Sequence, residues 1–311
     1  MKKRLLGGTG ERIPVLGMGT WAIGGDLWGP ADEATSIRAV RTAVDLGMTL
    51  VDTAPIYGSG VSEQVVGKAL SGIRDQVFLS TKCGLERVDG SIRKNLSPEA
   101  IRAEIDASLT RLGTDHVDLY QCHWPVQDTP VEDTVGVLEE IRDAGKIRFW
   151  GLSNYEAPLI EPALAAGQPA SLQSEYSLVK RSVEAAELPL CRARGLGFLA
   201  YAPMAGGLLT GKYDPDGPPP AFPPADARSF FYTFFSEPGW SEVGPTVRAV
   251  MSAARELGVA PGHVAVAWVL AQEGVTCALV GARTPEQAAE NARAAEVELT
   301  QEIIERIEGA T

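Results

Sequence analysis

The chain has 311 residues, 45% hydrophobic and 22% charged, which is ample material for a core and gives no sign of disorder. A net charge of -12 without any Lys/Arg-rich stripe repels polyanions and argues against a nucleic-acid partner. The cysteines (Cys83, Cys122, Cys191, Cys277) form no CxxC pair and only three histidines are present, which argues against a disulfide framework or a metal site. No apolar leader follows MKKRLL and no segment has the length of a membrane span, so the expectation is a cytoplasmic protein with no membrane association.

The start, KRLLGGTGERIPVLG, reads as two short strands around a Gly-Thr-Gly turn, a hairpin suited to capping the floor of a barrel. Apolar runs of strand length then alternate with segments of helical period. The predicted strands cover residues 15 to 21, 49 to 54, 77 to 82, 117 to 123, 147 to 154, 170 to 176, 197 to 203 and 276 to 282. Between them, Ser97-Pro98-Glu99 starts a helix with Ile101, Ile105, Leu109 and Leu112 on one face. Thr129-Pro130-Val131-Glu132 and Thr284-Pro285-Glu286-Gln287 match the capping box.

The stretch from Ala205 to Pro245 breaks this rhythm. It carries several prolines and the aromatic cluster SFFYTFF without helical or strand periodicity, and reads as a long lid loop after the seventh strand. Eight βα units in one chain predict an α/β fold, a (β/α)8 TIM barrel forming a single domain over residues 1 to 311. A doubly wound sheet is disfavoured because Gly17-Met18-Gly19-Thr20-Trp21 breaks the GxGxxG spacing.

Three of the predicted strands end in ionisable residues: TLVDTAPIYG, VFLSTKCG and VDLYQCHWP. The C-terminal ends of parallel strands are where such folds build active sites, so Asp52, Tyr57, Lys82 and His123 converge there. A phenol with a pKa of about 10 releases its proton near neutrality only with help, and the ammonium of Lys82 would supply it while Asp52 keeps that lysine charged. Taken singly, an Asp–Lys pair and a lone His are also common structural features.

Together these residues resemble the aldo-keto reductase superfamily over nearly the whole chain. The matching stretches are GMGTW, VDTAPIYG, STKCG, VDLYQCHWP, GLSNY, LQSEYS, YAPMAGGLLTGKY and GARTPEQAAEN. The resemblance implies a catalytic tetrad of Asp52, Tyr57, Lys82 and His123, with Tyr57 as general acid in the reduction of an aldehyde or ketone to an alcohol. It implies a substrate pocket lined by Trp21, Trp28, Tyr57 and Trp124, and a small-molecule carbonyl compound as partner, with no metal. The protein would act as a monomer or small homo-oligomer.

For the cofactor, the resemblance places Ser153, Asn154 and Gln173 on a nicotinamide carboxamide and Tyr201 under the ring. Gly19, Thr20 and Trp21 border the same cleft, and Ala202, Pro203, Met204, Gly206, Leu208 and Lys212 lie along the loop that folds over the pyrophosphate. Gly281, Arg283, Gln287, Glu290 and Asn291 fall near the adenosine 2′-phosphate and adenine. An Arg beside a capped helix N-terminus favours NADPH. Val280 and Gln287 depart from the commoner pattern, which leaves NADH possible. The last matching stretch leaves no long C-terminal loop to shape the pocket.

Two other readings of the residues stay open at this stage. One is a barrel aldolase with Lys82 as Schiff-base nucleophile, which an adjacent Asp52 would oppose by holding the amine charged. The other is a non-enzymatic binding protein like a channel β-subunit.

Overall fold

The computed structural model describes residues 1 to 310. An antiparallel pair, β1 (Lys3–Leu5) and β2 (Arg12–Pro14), is followed by β3 (Leu16–Gly19), α1 (Glu33–Asp45), β4 (Leu50–Asp52), α2 (Val61–Leu70) and β5 (Phe78–Cys83). A second hairpin comes next, β6 (Leu85–Val88) and β7 (Ser91–Lys94), then α3 (Pro98–Leu112), β8 (Val117–Cys122), α4 (Val131–Asp143), β9 (Ile147–Ser153) and α5 (Ala157–Ala166). The chain continues through β10 (Ser171–Glu175), α6 (Glu187–Arg194), β11 (Gly197–Tyr201), a short α7 (Ala227–Phe230), α8 (Gly239–Leu257) and α9 (Pro261–Ala271). It finishes with β12 (Val275–Gly281), α10 (Pro285–Ala292) and α11 (Gln301–Glu308).

The strands β3, β4, β5, β8, β9, β10, β11 and β12 pair in parallel in that order and close on themselves. This is the (β/α)8 barrel expected from the alternation of strand and helix, and all eight predicted strands are in it. None of the helices among the described residues is long and apolar enough to cross a membrane.

The period of two along each strand sorts residues between the two sides of the barrel wall. Val51, Leu79, Tyr120, Cys122, Trp150, Leu172 and Phe198 join the helices in the outer core. Leu50, Phe78, Leu119, Leu199, Cys277 and Leu279 fill the inside, and the N-terminal hairpin closes the floor by adding Leu6 and Ile13 to that cluster. One step further along the same inward-facing rows stand Asp52, Ser80 and Gln121, so a polar layer rests on an apolar plug.

The lid segment is more regular than its composition suggests. It holds 3-10 turns at Ala205–Thr210 and Thr233–Phe235 as well as α7, and its last stretch from Gly239 belongs to the nineteen-residue α8. Pro245 lies inside that helix, so the expected loop gives way to helix before its predicted end. Tyr213, Phe222, Phe235 and Trp240 pack edge to face within the segment, which explains its aromatic richness. The capping box at Thr129 does not form, because α4 starts at Val131 with Pro130 at the cap. Ser97 and Thr284 do cap their helices, accepting from Ala100 N and Gln287 N.

Leu6 is fully buried at the barrel floor. Leu6→Ala is expected to destabilise the fold by about 2–5 kcal/mol, read from the urea unfolding midpoint. An unchanged midpoint would show that the hairpin does not contribute to the core.

Candidate active site

The centre of the site is an ion pair inside the barrel mouth. Lys82 Nζ donates to Asp52 Oδ2 at 2.5 Å, to the Thr53 carbonyl at 2.9 Å and to Tyr57 Oη at 3.4 Å, and the lysine is fully buried. The second carboxylate oxygen, Asp52 Oδ1, accepts from Ser80 Oγ at 3.0 Å, Gln173 Nε2 at 3.0 Å and Gln121 Nε2 at 3.3 Å. Every proton of the ammonium and both oxygens of the carboxylate are thus engaged, as a charge pair without access to water requires.

Tyr57 reaches this pair from the loop between β4 and α2. The loop is anchored by buried hydroxyls, since Ser62 Oγ lies 3.0 Å from Thr53 Oγ1 and donates to Thr20 Oγ1 at 2.8 Å. It is also pressed against the chain after β3: a Cβ on Gly58, whose φ is +61°, would sit 2.2 Å from the Gly24 carbonyl oxygen. Only glycine meets both conditions there. The tyrosine ring stacks on Trp21 at 6.1 Å and meets His123 edge to face at 5.8 Å, so all four expected tetrad residues are brought together.

Their electrostatics differ from the sequence expectation in one respect. Lys82 was expected to draw the phenol down, yet burial and the Asp52 charge push Tyr57 well above the ordinary tyrosine value. Burial lowers the Lys82 ammonium while Asp52 opposes that fall. Burial, then the Lys82 charge, hold His123 well below its usual value, so its imidazole is neutral. The result is a protonated phenol beside a neutral imidazole, both ready to donate hydrogen bonds to an oxygen placed between them.

A model of the aldo/keto reductase family matches residues 15–311. The chain belongs to the aldo/keto reductase family. It is 40% identical to aldo-keto reductase YhdN of Bacillus subtilis over 282 residues, covering 90% of this chain and 84% of that protein. The NADH-specific methylglyoxal reductase of Escherichia coli is 39% identical, with 96% of this chain and 95% of that one covered. Among solved structures, the glycerol dehydrogenase of Gluconobacter oxydans superposes with a TM-score of 0.89 at 32% identity, covering 99% and 94% of the two chains. An aldo/keto reductase from Klebsiella pneumoniae in complex with NADP and acetate superposes at 0.77 and 27%, covering 99% and 95%.

In this aldo/keto reductase the residues expected around a cofactor lie on β3, β9, β10, β11 and β12 or in the segments that follow them, including α10, and their engagement differs. Gly19 ends β3, and Thr20 is buried with its Oγ1 donating to the Asp52 carbonyl at 2.9 Å. Gln173, as noted, holds Asp52 rather than standing free. Asn154 donates to the His123 carbonyl at 3.0 Å and to Ser153 Oγ at 3.1 Å, and accepts from Tyr201 Oη at 2.9 Å. Past β11, Ala202, Ala205, Gly206 and Gly207 all take positive φ, bending Pro203, Met204 and Leu208 into a tight turn. A Cβ on Gly207 would lie 2.7 Å from Lys212 Nζ, so the ammonium rests against that turn.

Beyond β12, Arg283 Nη1 donates to the Trp28 carbonyl at 2.9 Å, and Gln287 Oε1 accepts from Arg283 N at 2.8 Å. Asn291 donates to the Gly281 carbonyl at 3.0 Å, while Glu290 pairs with His263 at 3.1 Å and with Arg293. Glu290 and Asn291 therefore each hold a contact within the protein.

Sequence reasoning missed three contributors to the site. Gln121 completes the shell around Asp52. Glu104 on α3 accepts from Gly84 N at 2.7 Å just beyond Lys82. The β6–β7 hairpin was not foreseen, although its Asp89-Gly90 turn, with both residues at positive φ, is a strong hairpin signal. It brings Leu85 into a cluster with Ala54 and Ile56, against which Tyr57 and Trp124 pack.

Burial raises the Glu104 carboxyl from 4.5 to about 7, while the Gly84 N–H opposes that rise. Its folded value lies above its unfolded one, so its contribution to stability is full below the unfolded value and is lost as pH rises through about 7. Glu104→Gln keeps an acceptor for Gly84 N and is expected to be more stable than the parent by on the order of 1–3 kcal/mol at about pH 8, with little difference near pH 4, from urea unfolding. Parallel pH profiles for the two proteins would contradict that assignment.

Proposed function

We propose that this aldo/keto reductase reduces small aldehydes or ketones to alcohols with a nicotinamide cofactor, accepting NADPH and admitting NADH, within one domain spanning the chain. The observation that carries the reading is the buried Asp52–Lys82–Tyr57 chain, which presents a protonated phenol next to a neutral His123 at the barrel mouth. All three protons of Lys82 are engaged and Asp52 opposes its loss of charge, which disfavours the Schiff-base alternative.

The residues fit a nicotinamide dinucleotide. Gln173 has its Nε2 on Asp52 and its carbonyl oxygen left for a carboxamide, beside the Ser153 hydroxyl. Lys212 at the glycine turn suits a pyrophosphate. Arg283 uses one nitrogen on Trp28 and keeps further donors for a 2′-phosphate. When bound, the cofactor supplies hydride to the carbonyl carbon.

The protein's own part is to fix and protonate the substrate oxygen. His123 and Tyr57 hydrogen-bond the carbonyl, Tyr57 Oη gives up its proton as negative charge develops on that oxygen, and Lys82 tightens its 3.4 Å contact on the resulting phenolate. Trp21, Trp28 and Trp124 exclude water around the reacting carbon.

Tyr57→Phe removes the proton donor and little volume. It is expected to lower kcat for carbonyl reduction by about 10²–10⁴-fold while NADPH binding, followed by tryptophan fluorescence, is unchanged. Undiminished turnover would remove Tyr57 as the acid. Arg283→Ala is expected to weaken NADPH binding by about 1–3 kcal/mol and NADH binding much less. Equal losses would overturn the 2′-phosphate assignment.

A further inference from the structure

The hairpin β6–β7 borders the candidate active site, and the face that reaches Trp124 carries charge. Leu85 pairs across the hairpin with Lys94, and Arg87 with Ile92, so strand alternation sets Leu85, Arg87, Ile92 and Lys94 on one side. Leu85 clusters with Ala54 and Ile56, against which Tyr57 and Trp124 pack, and Lys94 lies over the Trp124 ring, so this is the side turned to the candidate active site. Arg87 is already neutralised, bound to Asp26 at 3.1 Å. Lys94 is not: no carboxylate among the described residues pairs with it, and its Nζ stands 4.8 Å from the centre of the Trp124 ring.

An exposed ammonium with no acidic partner is notable on a chain of net charge -12. Trp124 follows His123, so the charge lies over the residue next to the group that would hold the substrate oxygen. The residues expected to line the substrate pocket are aromatic, with Trp21 meeting Trp28 edge to face and Trp124 packing on the cluster that holds Ile56. A ligand that fills such a pocket and ends in an anion satisfies both features, with its apolar part on the rings and its charge on Lys94.

We propose that Lys94 is a specificity residue that selects carbonyl substrates bearing a carboxylate at the end remote from the reacting carbonyl. This rests on the reductase reading above, which it deepens by naming a substrate class. The anion would take a charge-assisted hydrogen bond from Nζ while Trp124 holds the ammonium from below. Lys94 acts on binding and does not touch the reacting atoms, so its effect falls on KM rather than kcat.

The test uses two matched aldehydes, 4-formylbenzoate and 4-formylbenzamide, which differ in charge and hardly in shape. Their binding is measured by tryptophan fluorescence and their turnover with NADPH. The parent is expected to bind the benzoate about three- to fivefold more tightly than the benzamide, as one screened ion pair allows. Lys94→Gln should abolish that preference with benzamide binding and turnover unchanged, Lys94→Arg should keep it, and Lys94→Glu should reverse it. Absence of a preference in the parent, or its survival in Lys94→Gln, would overturn the proposal. The reductase reading fails separately, by loss of turnover of both aldehydes while the binding ratio still reports on Lys94.

Discussion

Burying the Lys82 ammonium is the constraint around which the site is arranged. Removing such a charge from water costs several kcal/mol unless a partner and further hydrogen bonds offset it. Asp52 at 2.5 Å is that partner, but it is itself buried and needs its own donors. Ser80, Gln121 and Gln173 supply them from three different strands. The residues that compose the barrel interior above its apolar plug are thereby set by the requirements of one ion pair, and the Tyr57 hydroxyl takes the one remaining proton of the ammonium.

That arrangement ties chemistry to stability. The floor of Leu6, Ile13, Leu50, Phe78, Leu119 and Leu199 supplies apolar burial, and the polar layer is tolerated because it rests on that floor and is saturated with hydrogen bonds. Gln121 shows how closely the layer is filled: its Nε2 serves Asp52 and Ser80, while its Oε1 is buried without a partner. A donor left facing Asp52 is worth more to the fold than a satisfied acceptor on Gln121, because the carboxylate carries a full charge and the amide oxygen does not.

Much of this was legible in the sequence because strand alternation and parallel topology are local rules with a global consequence. Asp52, Lys82 and His123 lie on three predicted strands or at their ends, and a barrel brings strand ends together whatever the details of packing. The protonation state of Tyr57 was not legible in the same way. Sequence placed a cation near the phenol, but the sign of the shift depends on Asp52 being hydrogen-bonded to that cation and on the depth of burial, which are distances rather than motifs. The β6–β7 hairpin was overlooked because its strands are short and polar, with Asp89-Gly90 as the sole clear signal. The start of α8 was hidden by Pro245, a residue that ends most helices and does not end this one.

The contacts around the loop after β3 set how these parts act on one another. Asp26 holds the β6–β7 hairpin through Arg87, the Leu27 carbonyl accepts from Ala227 N of the lid at 2.8 Å, and the Trp28 carbonyl accepts from Arg283. The Trp28 ring also meets Trp21 edge to face at 5.3 Å and lies under the Arg228 guanidinium. Three consecutive residues therefore join the β6–β7 hairpin, the lid and the arginine proposed for the cofactor phosphate. Side chains that share a support in this way do not contribute independently. A change at Arg283 reaches Trp28 through its backbone carbonyl and a change in the hairpin reaches the same loop through Asp26, so the residues proposed for cofactor and for substrate rest on one connected support.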